Sequence, residues 1–265
     1  MPTPVTACCG RRSAEAPPVK VYLLAAGYAT RLYPLTRDTP KPLLDVAGEP
    51  ILTRILRRVQ ALRGVSEVVV IGNDRFAPQF ERWAAETESP VPLRVLNDGS
   101  RSQDDRLGAV GDLGFALREV PPGDEDWLVV AGDNLIEFDL DALQRVFDAK
   151  RCPLLVLRPA EHGPGPSRYN EVTLDQSGDV ARFREKPPDP QGRLAAIAVY
   201  FFTPEVAGLL ARYVEEGGER DAPGHFIEWL VGQTRVAASA LDGEWLDIGT
   251  PETLEHARRR LDGTG

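Results

Sequence analysis

The chain's most informative chemistry lies in Leu24–Asp45, LAAGYATRLYPLTRDTPKPLLD. A glycine-containing loop leaving the first strand of a parallel sheet offers free backbone N–H groups at the strand's carboxyl end, where such folds bind phosphates. Here those amides belong to Ala25, Ala26 and Gly27. Thr30 adds a hydroxyl, Arg31 a five-donor fork and Lys41 a mobile point charge. One loop thus assembles what a triphosphate needs. A carboxylate extends the set. Asp133, in Ala131–Gly132–Asp133–Asn134, follows an apolar strand and faces the ligand crevice of an α/β fold. A carboxylate beside a triphosphate is sensible with a cation between them, and Mg²⁺ prefers oxygen ligands. Taken alone, Gly-Asp-Asn serves equally well as a helix cap. Asp247, in EWLDIGTPE, by itself reads as a residue ordering the turn before Pro251.

Composition narrows the classes. The 265 residues carry a formal charge of −9, which argues against a general nucleic-acid binder. Only Lys20, Lys41, Lys150 and Lys186 are lysines among 31 basic residues, so a lysine at a motif position is less readily filler. Cys8, Cys9 and Cys152 form neither a disulfide framework nor a ligand set. His162, His225 and His256 stand outside every motif and read as surface or structural. No apolar run reaches the ~18 residues of a membrane span, and residues 1–18 read as a disordered leader rather than a signal peptide. A cytoplasmic enzyme is expected.

The positioning elements follow from pattern. Val19–Ala25 and Glu67–Ile71 are short apolar runs of the kind buried in parallel sheets, and Pro92–Leu96 and Trp127–Ala131 read as the third and fourth strands. Helices alternate with them: one opening at Pro50, one capped by Asn73–Asp74, and one over Leu107–Val120. This alternation predicts an α/β fold with a Rossmann-like, open, mixed and mostly parallel sheet flanked by helices. In the second half, Val172–Leu174 and Val180–Phe183 flank a Gln-Ser-Gly-Asp turn and read as a hairpin. Ala195–Phe202 and Val236–Leu241 read as strands, with helices after Pro204, over His225–Leu230 and from Pro251. The organisation expected is a single domain over 19–265, with a nucleotide half (19–135) and an acceptor half (136–265).

The pattern G-x-x-T-R-L-x-P-L-T-x-x-x-P-K from Gly27 to Lys41 closely resembles the signature of the sugar-1-phosphate nucleotidyltransferases, the glucose-1-phosphate thymidylyl- and uridylyltransferase family. Trp245–Glu252 resembles that family's W-x-D-x-G-T-P-E segment, and Glu185–Lys186–Pro187 its E-K-P motif. The resemblance implies transfer of a nucleoside monophosphate from a nucleoside triphosphate, with dTTP or UTP favoured, to a sugar 1-phosphate. Arg31 and Lys41 would then meet the nucleotide phosphates, Asp133 and Asp247 would hold Mg²⁺, and Lys186 would grip the acceptor phosphate. Glu185, Tyr169, Asn170 and Ala198 would line the sugar site. Homo-oligomers are common in the family, so one is implied here. The chain ends soon after its last helix, which leaves no room for the left-handed β-helix of longer relatives.

The sequence departs from the family pattern at several places. A second loop glycine is replaced by Ala29, which must avoid a positive φ or tolerate it at a cost. The glutamine usual after the third strand is missing, and Asn97, Gln103 or Arg106 are left to read the base, with Gly108 closing that loop. Asn170 stands where the family often has glycine, and Ile197–Ala198 where it has Thr-Gly, so an acceptor other than glucose 1-phosphate stays open. The competing readings are a cytidylyl- or guanylyltransferase on another sugar phosphate or a phosphocholine-like acceptor, and a non-catalytic nucleotide-sugar-binding relative. A binding-only protein has no need of both metal carboxylates.

Overall fold

The computed structural model describes residues 17–160 and 167–263. The expected leader (all but its last two residues), Cys8, Cys9 and His162 lie outside the described residues.

In chain order the elements begin with β1 (Val19–Leu24), short 3-10 turns at Thr30–Leu32 and Lys41–Leu43, β2 (Asp45–Val46), β3 (Glu49–Pro50) and α1 (Ile51–Gln60). Next come β4 (Val65–Gly72), α2 (Ala77–Glu86), β5 (Leu93–Asn97), α3 (Ala109–Glu119), β6 (Asp126–Ala131), β7 (Leu135–Phe138) and α4 (Leu140–Lys150). The rest are β8 (Leu154–Pro159), β9 (Glu171–Leu174), β10 (Val180–Arg184), β11 (Leu194–Phe202), α5 (Val206–Glu215), α6 (Pro223–Val231), β12 (Ala237–Ala240), β13 (Gly243–Leu246) and α7 (Pro251–Leu261).

Seven strands form the central sheet in the order β12-β8-β11-β6-β1-β4-β5. All neighbours run parallel except around β11, which is antiparallel to both β6 and β8. The expected mixed, mostly parallel sheet is therefore present. Successive β1 side chains enter opposite layers. Val21 and Leu23 pack with α1, α2, α4 and α7 through Ile55, Phe80, Phe147 and Leu254. Tyr22 packs with α3, α5 and α6 through Leu113, Leu210 and Phe226. Burial on both faces is why these strands read as unbroken apolar runs.

Helix α4 and the β7–β13 ribbon are absent from the sequence reading. Helix α4 is capped by Asp139, whose carboxylate accepts from Asp141 N at 2.9 Å and Ala142 N at 3.2 Å. Strand β7 pairs antiparallel with β13, Leu135 opposite Leu246. Pro50 lies one residue ahead of α1, as its N-cap, rather than inside it. The hairpin is present as β9 and β10.

Candidate active site

The loop after β1 starts from two fixed points. Ala25 N donates to Ile71 O at 2.8 Å, and Gly132 N donates to Leu24 O at 2.8 Å. A Cβ on Gly132 would lie 2.9 Å from Leu24 O, so the chain entering Asp133 passes β1 too closely for a side chain. Asn73, fully buried, donates from Nδ2 to Ala26 O at 2.8 Å and accepts from Phe76 N at 3.1 Å. It holds the loop and starts α2 with one side chain.

Ala29 adopts the left-handed conformation, φ 46° and ψ 45°, so the loop tolerates the strain rather than avoiding it. Thr36 Oγ1 donates to Ala29 O at 2.8 Å and Leu32 N to the same oxygen at 3.0 Å, fixing the turn. Beyond it the 3-10 turn presents Thr30 and an exposed Arg31.

The register of β7 and β13 explains how distant carboxylates meet. Leu246 opposite Leu135 in antiparallel strands puts Asp247, just after β13, beside the residues that just precede β7. Asp133 is one of them. Both aspartates line one cavity of about 480 Å³ together with Ala25, Gly27, Thr30, Arg31, Lys41, Gln103, Arg106 and Asp221. Lys41 is only 5 % exposed, and its Nζ lies 3.0 Å from Asp133 Oδ2.

Other expected site residues are placed differently. Ala26 is buried behind the cavity wall and contributes its carbonyl to Asn73. Asn97 is engaged in the loop it starts: its Nδ2 donates to Asp74 Oδ1 at 2.8 Å and its Oδ1 accepts from Gly99 N at 2.9 Å. Gly108, with φ 78°, is the N-cap of α3 and lies against Arg220, whose carbonyl oxygen would be 2.3 Å from a Cβ there. Of the three candidate base readers, Gln103 and Arg106 line the cavity and Asn97 does not.

Glu185 and Lys186, the residues expected on the acceptor side, adjoin each other. The Glu185 side chain is 7 % exposed, with Lys186 Nζ 3.6 Å from its Oε1. Burial pushes its pKa up, and Lys186 and His225 pull against that. Lys186 has φ 45°, left-handed like Ala29. Asn170 spends its amide on β11, donating to Ala196 O at 3.0 Å and accepting from Ala196 N at 2.7 Å. Tyr169 stacks on Arg158, and Ala198 sits at the irregularity of β11 between Ile197 and Tyr200.

Asp221 is the lining residue that sequence reasoning missed. It pairs with Arg106 NH2 at 2.7 Å, while Ala109 N and Val110 N at the start of α3 donate to Asp221 O and Arg220 O at 3.1 and 3.0 Å. Its carboxyl is held below the usual range by Arg106 first, with smaller help from Lys186 and His225. His225, read from sequence as surface or structural, is half-buried in α6 beside these groups. No motif announces Asp221 because a loop packing onto α3 brings it there.

The sequence pattern of the Nucleotidyl transferase family matches residues 20–262, and the chain belongs to that family. It is 30 % identical over 264 residues to a glucose-1-phosphate thymidylyltransferase of Streptomyces antibioticus, covering 93 % of this chain and 69 % of that protein. It is 28 % identical to a UTP–glucose-1-phosphate uridylyltransferase of Haloferax volcanii, covering 92 % and 96 %. A mannose-1-phosphate guanyltransferase beta-A of Xenopus laevis is also 28 % identical, covering 88 % of this chain and 62 % of that protein. A crystal structure of UDP-glucose pyrophosphorylase complexed with UDP-glucose superimposes with a TM-score of 0.78 at 17 % identity, over 94 % of this chain and 100 % of that one. That likeness bears on the fold. No helix among the described residues is long and apolar enough to cross a membrane.

Proposed function

We propose that the protein transfers a nucleoside monophosphate from a nucleoside triphosphate, dTTP or UTP in preference, to a sugar 1-phosphate. An oxygen of the acceptor phosphate attacks the α-phosphorus, the bond to the β-phosphate oxygen breaks, and pyrophosphate leaves with the displaced charge. The attacking oxygen is already anionic, so no general base is required, and rate comes from positioning and charge neutralisation. The observation that carries this reading is the convergence of the glycine loop, Lys41, Asp133 and Asp247 on one cavity. Arg31 and Lys41 meet the triphosphate and stabilise the departing pyrophosphate. Lys186 holds the acceptor phosphate, and Glu185 accepts hydrogen bonds from sugar hydroxyls.

The donor set fits Mg²⁺: Asp133 and Asp247 offer hard carboxylate oxygens on a cavity wide enough for phosphate and water oxygens to complete the shell. When bound there, the ion neutralises charge on the α-phosphate region. Both substrates are small molecules, neither nucleic acid nor membrane lipid, and the active form is a homo-oligomer in the cytoplasm.

Pyrophosphate release with Mg²⁺ is the test, across five nucleoside triphosphates and a panel of sugar 1-phosphates and phosphocholine. Release that needs one triphosphate and one acceptor together is expected, and Asp133→Asn or Asp247→Asn should each lower it by about 10²-fold or more. Silence across the grid, with no triphosphate bound, would sink the assignment.

A further inference from the structure

Arg158 occupies an unusual place. Its guanidinium carbon lies 4.3 Å from the ring centroid of Tyr169 and 4.9 Å from that of Trp245. Both rings are well within cation–π range, and a guanidinium stacked in this way keeps its in-plane N–H groups as its usable edge. NH1 donates to Pro159 O at 2.9 Å. Among the described residues no carboxylate lies within ion-pair distance of Arg158, although the side chain is only partly exposed in a chain of net charge −9.

The strand topology puts this cation at the site edge. The carboxyl end of β6, where Asp133 follows, meets the amino end of β11, because the two are antiparallel. β8 is antiparallel to β11 in turn, with Arg158 opposite Ala195, so the carboxyl end of β8 opens on the same edge. Only β11 stands between β8 and β6, a lateral offset of about 10 Å at ~4.8 Å per strand. Trp245 ties the stack to Asp247, two residues on. An acceptor phosphate held near Asp133 would leave the far end of the sugar to extend along this same sheet edge.

We propose that Arg158 is a specificity-determining residue, selecting acceptors that carry a second anionic group, a carboxylate or a second phosphate, at the end of the sugar remote from the 1-phosphate. The inference rests on the transferase reading above and names the acceptor class for the same site. A planar fork fits either anion bidentately. The two rings remove its rotational freedom, so little ordering is needed when the anion arrives. A neutral sugar leaves this edge without a partner.

The experiment compares glucuronic acid 1-phosphate, glucose 1,6-bisphosphate and glucose 1-phosphate, by calorimetric affinity and by kcat/KM. Wild-type protein should favour at least one anionic acceptor over glucose 1-phosphate by tenfold or more, and which one identifies the anion. Arg158→Gln should erase that preference while leaving glucose 1-phosphate within about twofold, and Arg158→Lys should restore part of it. Equal affinity of wild-type protein for all three, binding of none, or a preference that survives Arg158→Gln overturns the proposal. Turnover confined to the neutral sugar overturns Arg158 selection alone. Absence of turnover with every pair overturns the transferase reading, and the calorimetric comparison still decides the role of Arg158.

Discussion

Lys41 Nζ sits 3.0 Å from Asp133 Oδ2, and the pair is lopsided: the lysine side chain is 7 % exposed and the aspartate side chain 42 %. Lys41 arrives from the second 3-10 turn after β1, and Asp133 from the end of β6. A triphosphate entering the cavity brings this ammonium a stronger anionic partner. Replacing Lys41 with Met keeps the apolar stem and removes the charge. Asp133 then stays solvated, so stability should change by less than about 1 kcal/mol. Turnover should fall by about 10²- to 10³-fold. Thermal melting and pyrophosphate release measure the two separately; a collapsed melt with intact specific activity would make Lys41 a structural lysine.

Asp112 supplies a pH signature. It lies buried in α3, its Oδ1 without a hydrogen-bond partner. Burial first, and the neighbouring Asp98 carboxylate next, push its pKa up to about 8. The Asp98 carboxylate is itself held by Ser100, which donates from N at 2.7 Å and from Oγ at 2.8 Å. A carboxyl that keeps its proton in the folded state and loses it in the unfolded chain costs stability as pH rises between the two pKa values. Stability contributed by the neutral acid is thus full below about pH 4 and declines toward pH 8, by up to about 1.4 kcal/mol per pH unit. Asp112→Asn, neutral throughout, should flatten that decline. Parallel pH–melting curves for wild type and variant would show that Asp112 is ionised in the folded protein.

The first half of the chain was legible because its central strands are buried on both faces, so β1, β4 and β6 print as apolar runs between helical patterns. The β7–β13 ribbon was not. Leu135–Phe138 carries Glu137 among apolar residues, and its partner, Gly243–Leu246, lies more than 100 residues on, so no local period marks the pairing. That ribbon is what brings Asp247 to Asp133, which the W-x-D resemblance had to stand in for. Asn97 shows the reverse limit. Residue type and position suit a base reader, but the Asp74 and Gly99 contacts that engage its amide depend on how the α2 and β5 ends pack. Asp221 and Arg158 each gain meaning from a partner distant in sequence, Arg106 and Trp245 respectively.

Ala29 offers a stabilising substitution. Its left-handed backbone costs an alanine about 1–2 kcal/mol, while glycine adopts it freely. Glycine also gains freedom in the unfolded chain, which returns about 0.4–1 kcal/mol of that benefit. Ala29→Gly should therefore raise stability by about 0.5–1 kcal/mol, read from denaturant midpoints, with kcat within about twofold. A lower midpoint would mean that the alanine methyl contributes more by packing against the adjacent core than its backbone costs.

Gly224 tests the placement of Glu185. A Cβ on Gly224 would fall 1.8 Å from Glu185 Oε2 and 3.1 Å from the Phe183 ring. The glycine is thus required by the approach of the carboxylate to the first turn of α6, since its backbone there is ordinary helix. With the Glu185 side chain 7 % exposed and Lys186 beside it, there is little room to retreat. Gly224→Ala should cost about 1–3 kcal/mol by overpacking and push the carboxylate away from the sugar. The acceptor KM should rise by about tenfold and the nucleoside triphosphate KM should not move, because the glycine loop lies on β1, two strands beyond β11. Glu185→Gln, which keeps the shape and removes the charge, separates the two causes. Its acceptor KM should rise less than that of Gly224→Ala if carboxylate position matters most. Equal rises would point to the charge itself, and no rise in either would remove Glu185 from the acceptor site.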